Sequence, residues 1–121
     1  MRKGLICVVL LLLVVGCQNR LGRLEKVVPG GDVAAGYEAL LEYGCGACHT
    51  ISGVPNAVAF VGPPLNQYGQ RHYIAGTLPN TADNLIEWIR NPQAVEPGTA
   101  MPNLNVTEID ARNMAAYLYS Q

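Results

Sequence analysis

Apolar positions along the chain fall into one unbroken run followed by three spaced groups. Leu5 to Val15 is a run of eleven apolar residues behind the basic start Met1-Arg2-Lys3. After it the apolar residues recur at helical intervals. A first helix is expected from Asp32, a plausible N-cap, to Tyr43, stopping at Gly44-Cys45. A second starts at Asn80-Thr81-Ala82-Asp83, carries Leu85, Trp88 and Ile89 on one face at i, i+3 and i+4, and ends near Asn91-Pro92. Thr107-Glu108-Ile109-Asp110 is a capping box with Asp in place of Glu or Gln, and it opens a last helix through Tyr119. The stretch from Thr50 to Asn80 is dense in proline and glycine, with few periodic signals beyond a short helix around Leu65 to Arg71. The pattern predicts an all-α chain with long loops and little or no sheet.

The eleven-residue run is too short to span a bilayer, which takes about 20 residues. Behind a basic start it reads as the n-region and h-region of an export signal. Val14-Val15-Gly16-Cys17 follows directly and resembles the lipobox of bacterial lipoproteins, which implies cleavage before Cys17 and its acylation. The alternatives are that Cys17 is incidental, with the leader cut nearby or retained as an anchor. Residues 18–31 have mixed charge and end in Pro29-Gly30-Gly31, a boundary signal. They read as a tether, or alternatively as a short helix through Leu21, Leu24 and Val28. The expected organisation is a signal peptide at 1–16, a lipid-anchored tether at 17–30 and one domain at 31–121. Two or more acyl chains would hold such a domain stably at a membrane surface.

Composition narrows the domain further. The whole chain is 121 residues, enough for one small domain and too short for a two-domain enzyme. Twelve of its apolar residues lie in the first sixteen positions, so the 50% apolar content overstates the core. Losing Arg2 and Lys3 with the leader moves the net charge from −1 to −3, which excludes the basic footprint of a nucleic-acid binder. Six Tyr, Phe60 and Trp88 are few large anchors for a core. Small domains of this kind often depend on a metal or another staple.

Cys45-Gly46-Ala47-Cys48-His49 is C-x-x-C-H, the attachment pattern of c-type haem. The two thiols add to the haem vinyl groups, and the adjacent imidazole reaches the iron from the same segment. A thioredoxin-like pair would want a βαβ context, half of a zinc site would want a fourth ligand at matching spacing, and a disulfide is the remaining competitor. Under the haem reading every cysteine is accounted for: Cys7 leaves with the signal, Cys17 takes lipid, and Cys45 and Cys48 take haem.

In order along the chain come Gly31-Asp32, CGACH, Gly62-Pro63-Pro64-Leu65, Leu85-Ile-Glu-Trp-Ile-Arg-Asn-Pro92 and Pro97-Gly98-Thr99-Ala100-Met101-Pro102, then a final helix with Tyr117. This order resembles a class I cytochrome c from Gly31 to the end. The resemblance implies the cytochrome c fold, three to five helices and long loops wrapped around one covalently bound haem c. It implies His49 as proximal and Met101 as distal iron ligand. It also implies that the Pro63 carbonyl accepts from the free ring nitrogen of His49. A soft, uncharged thioether favours ferrous iron, which fits Met101 independently; the plain alternative is a core gap-filler. Gly36 would allow close helix packing, and Leu40 and Trp88 would contact the haem. Arg71 and Thr99 are candidates for the haem propionates, with Arg71 as a surface charge the alternative. His72 is a runner-up distal ligand that lacks the PGTxMP context.

With both axial positions filled, the expected function is one-electron transfer, a carrier and not an enzyme. Ala75 to Thr81 with Trp88 to Gln93 resembles the cytochrome domains fused to subunit II of bacterial haem-copper oxidases. That implies a terminal oxidase as redox partner, with a periplasmic dehydrogenase as the other candidate. The expected location is a bacterial membrane surface, with the haem domain on the periplasmic or extracytoplasmic side. The competing functions are a haem-based ligand sensor or peroxidase with a labile Met101, and a relay subunit fixed permanently in a complex.

Overall fold

The computed structural model describes residues 26–121. The signal peptide expected at 1–16, the acylated Cys17 and the tether up to residue 25 lie outside the described residues. Among the described residues, four α-helices carry the fold: α1 (Val33–Glu42), α2 (Ala82–Arg90), α3 (Pro92–Val95) and α4 (Glu108–Ser120). Three of them begin where side-chain capping predicts. The Asp32 carboxylate accepts from the Ala35 N–H at 2.9 Å, and the hydroxyls of Thr81 and Thr107 accept from the N–H groups of Asn84 and Asp110 at 3.3 and 3.1 Å. Each satisfies a donor that the first helical turn leaves without a partner. Asp83 in the first turn of α2 and Arg90 in its last complement the helix dipole.

The structure departs from the expected elements in three places. Asn91-Pro92 ends α2 but also starts α3, because proline suits the first position of a helix, where its missing N–H costs nothing. The short helix expected around residues 65–71 contracts to a 3₁₀ turn at Tyr68–Gln70. Immediately after it, β1 (Tyr73–Ile74) pairs antiparallel with β2 (Leu78–Pro79), Tyr73 opposite Pro79 and Ile74 opposite Leu78. Ala75 and Gly76 turn that hairpin at positive φ.

Packing is organised around α4, whose residues Ala111 and Asn113 to Leu118 are buried. α1 crosses it so closely that a Cβ on Gly36 would stand 2.0 Å from the Asn113 carbonyl oxygen and 3.0 Å from the Tyr117 Cβ. The Asn113 side chain also accepts from the Asp32 N–H at 2.9 Å, joining the start of α1 to α4. α2 packs on α4 through Leu85, Ile86 and Ile89. Part of the segment read as a tether belongs to this body. Val28 is buried, Arg112 donates to the Pro29 carbonyl at 3.1 Å, and Lys26 Nζ donates to the Asn80 carbonyl at 2.6 Å. Asn80 is itself a buried junction. Its amide donates to the carbonyls of Tyr68 and Arg71 at 2.9 and 3.0 Å, and its oxygen accepts from the Tyr119 hydroxyl at 2.7 Å.

Gly36→Ala should destabilise the fold toward the upper end of about 1–3 kcal/mol, because the new methyl meets backbone that no rotamer change can move. Guanidinium titration checks this, and a loss below about 0.5 kcal/mol would show that the helices are not in contact there. Tyr119, raised above the usual phenol range by burial and then by neighbouring Tyr68, links stability to alkaline pH. The folded chain keeps this proton after the unfolded chain loses it near pH 10, so the stabilisation is complete below about pH 10 and is lost as pH rises. Tyr119→Phe should cost about 1 kcal/mol at neutral pH through the lost bond to Asn80, and the gap from wild type should narrow above pH 10.

Candidate functional site

A cavity of about 630 Å³ lies between α1, α2 and α4 on one side and the loops at 44–49, 61–65 and 96–104 on the other. Its floor is apolar core: Leu40, Leu85, Ile89, Met114 and Leu118 are buried and line it. Cys45, Cys48, His49, Pro63, Arg71, Trp88, Thr99 and Met101 all line the same cavity, although they are spread over 57 positions of chain. His72 is exposed and does not line it. Cys17 lies outside the described residues.

The attachment motif is shaped by glycines at two kinds of constraint. Gly44 ends α1 in the left-handed region at φ 68°, turning the chain into a 3₁₀ turn over Cys45–Ala47. The His49 N–H closes this turn onto the Cys45 carbonyl at 3.1 Å. Gly62 then packs closely against the imidazole: a Cβ there would stand 2.3 Å from the ring carbon Cε1 and 2.7 Å from Nδ1. The Gly62 N–H donates to the Cys48 carbonyl at 2.8 Å, which fixes this loop to the motif.

His49 Nδ1 lies 2.7 Å from the Pro63 carbonyl oxygen. A carbonyl can only accept, so Nδ1 carries the proton and the neutral ring keeps its lone pair at Nε2, the tautomer a metal ligand needs. Burial pushes the Cys45 thiol up to about 11. That is the opposite of the lowered value a nucleophilic redox cysteine requires, and neither Cys45 nor Cys48 is in a disulfide.

Met101 lines the same cavity from a loop that follows α3. Gln93, on α3, donates its side-chain amide to the carbonyls of Thr99 and Met101 at 2.6 and 2.8 Å. The Thr99 hydroxyl accepts from the Met101 N–H at 3.4 Å. Trp88 is half-buried on the cavity-facing side of α2. Arg71 donates to the Pro64 carbonyl and lies over the Tyr68 ring at 4.7 Å, so its guanidinium is stacked and not loose on the surface. Tyr43 also lines the cavity, and its hydroxyl donates to Asp110 at 2.9 Å. This bond raises the phenol above its ordinary range.

Sequence reasoning did not single out Gln93, Gly62 or Tyr43 for these contacts. Gln93 acts on backbone carbonyls and Gly62 by having no side chain, and neither leaves a residue pattern to read. The residues present fit haem c. Two thiols at the attachment spacing sit beside an imidazole of fixed tautomer, a glycine cradle holds that ring, and a thioether lines the same apolar cavity.

Comparison with known proteins identifies the family. The family model described as Cytochrome c matches residues 33–121. The chain is 37% identical over 86 residues to Cytochrome c oxidase subunit 2 of Alkalihalophilus pseudofirmus, covering 70% of this chain and 24% of that protein. It is 32% identical over 108 residues to Cytochrome c oxidase subunit 2 of Bacillus sp. strain PS3, covering 84% of this chain and 30% of that protein. The subunit 2 of Bacillus subtilis is 28% identical over 88 residues, or 69% of this chain and 24% of that protein. The match therefore spans under a third of each relative's length. With the helical architecture, the CGACH turn and the matched span together, the chain belongs to the cytochrome c family, whose role is electron transfer.

Proposed function

We propose that this chain is a one-electron carrier holding a single haem c through Cys45 and Cys48, with His49 and Met101 as the axial ligands. The observation that carries the reading is that the His49 imidazole, its tautomer set by the Pro63 carbonyl, and the Met101 side chain line one apolar cavity. Haem c, when bound, supplies a one-electron Fe(III)/Fe(II) couple. The chain supplies ligation and exclusion of water. His49, bonded to Pro63, is the more basic ligand; the Met101 thioether favours the reduced state. Leu40, Leu85, Met114 and Leu118 keep the cavity floor dry. Arg71 spends part of its five-donor guanidinium on Pro64, and Thr99 accepts from Met101 while its hydroxyl proton stays available. Both keep donors for a propionate.

The partner we infer is a haem-copper terminal oxidase, supported by relatives that are themselves named cytochrome c oxidase subunit 2. A periplasmic dehydrogenase is the other candidate. The cavity mouth fits docking with little charge steering. Val61, Tyr73 and Leu104 are exposed in its lining, which also holds one cation, Arg71, and one carboxylate, Glu96. We place the domain at a bacterial membrane surface, on the extracytoplasmic side, held by acylated Cys17. Such an anchor raises the effective concentration near a membrane partner.

Met101→Ala should leave haem covalently attached and lower the midpoint potential by more than about 59 mV, a tenfold change for a one-electron couple. Potentiometric titration reads this, and an unchanged potential means another residue ligates. Cys17→Ser should move the protein from the membrane fraction to the soluble fraction. Retention in the membrane would place the anchor elsewhere.

A further inference from the structure

We propose that Gln93 is the positioning residue for Met101: its side-chain amide is the clamp that holds the thioether loop closed over the cavity. This rests on Met101 being the distal ligand. The Gln93 Nε2 group has two hydrogens, and both are used, one on the Thr99 carbonyl at 2.6 Å and one on the Met101 carbonyl at 2.8 Å. The loop it holds has little other support. Between Glu96, whose N–H bonds to Pro92 in α3, and the buried Val106, the chain turns through Gly98 and Asn105 at positive φ. The Thr99 N–H bonds to Glu96 and the Met101 N–H to the Thr99 hydroxyl, both within the loop itself. Among the described residues, Gln93 supplies the side-chain hydrogen bonds that reach this loop from a helix.

The clamp is rigid because its base is rigid. Gln93 follows Pro92, which is among the most deeply buried side chains. The residue before them, Asn91, is both the C-cap of α2 and the N-cap of α3, with its N–H on the Glu87 carbonyl at 2.8 Å and its amide on the Glu87 carboxylate at 3.0 Å. α2 in turn is fixed to α4 by Leu85, Ile86 and Ile89. A rigid path of helix and buried proline therefore runs from the core to the carbonyl of the residue that carries the thioether. Each neutral hydrogen bond of this kind adds a modest net stabilisation to the closed loop. Their loss raises the open fraction of the loop, and the apparent affinity for an outside ligand rises in proportion to that fraction.

The test is imidazole binding to the oxidised, haem-loaded protein, followed by visible absorbance in wild type, Gln93→Ala, Gln93→Glu and Met101→Ala. Glu keeps the size of Gln but replaces both donors with an acceptor facing two carbonyls. Both Gln93 variants should bind imidazole about 10- to 100-fold more tightly than wild type. They should approach but not exceed Met101→Ala, with unchanged helical circular dichroism. If Met101→Ala binds tightly while both folded Gln93 variants match wild type, Met101 is the ligand and the clamp proposal is wrong. If Met101→Ala itself matches wild type, the ligand assignment fails, and the clamp with it. Should Gln93→Ala lose helical structure, Gln93→Glu alone decides, since it fills the same volume.

Discussion

The crossing of α1 over α4 is the constraint from which the remaining geometry follows. Gly36 permits an approach that a single methyl would block, and Asn113 secures it from the other helix. With the two axes this close, Leu40 from α1 and Met114 and Leu118 from α4 form a common floor. After α1 ends, Gly44 turns the chain in the left-handed region at the cavity lining, and the next five residues, CGACH, follow it there. Placing two thiols and an imidazole at a cavity edge is therefore a consequence of where a helix stops. The first turn after it is closed by backbone bonds among Gly44, Cys45, Ala47 and His49.

The His49 and Met101 segments of the cavity lining are held by different physics. On the His49 side the ring is pinned sterically by Gly62 and chemically by the Pro63 carbonyl. On the Met101 side the support is a set of hydrogen bonds to backbone carbonyls, delivered from α3. A ligand fixed by packing and a covalent attachment next to it has little freedom. A ligand carried on a loop is as firm as its clamp. If His49 and Met101 hold the haem iron as proposed, this arrangement would place the adjustable part of the site in one short loop.

Much of the fold was legible because local chemistry declares it. Asp32 and Thr107 cap the helices they were expected to cap, α2 starts within the Asn80–Asp83 stretch that marked it, and the three long helices end within about a residue of their expected limits. The CGACH segment gathers its chemistry in five adjacent positions, so its spacing exposes it, whereas PGTAMP was legible through the resemblance to the cytochrome c family. The parts not legible depend on contacts without a residue signature. α3 was hidden because proline stops one helix and starts another with the same ring. Asn80, a buried junction for Lys26, Tyr68, Arg71 and Tyr119, bonds mainly to carbonyls, and any residue type supplies a carbonyl. The docking of residues 26–30 was hidden likewise, since Pro29-Gly30-Gly31 has the composition of a linker while Val28 and Lys26 hold it to the domain.

The proposed carrier function requires both axial positions to be filled by the chain itself, by His49 and Met101. The visible spectrum of the reduced, haem-loaded protein before and after carbon monoxide tests this most directly. An unchanged spectrum is the predicted result for a carrier with no open coordination site. Ready formation of a carbonyl complex would contradict it and favour a ligand sensor or peroxidase in which Met101 is labile.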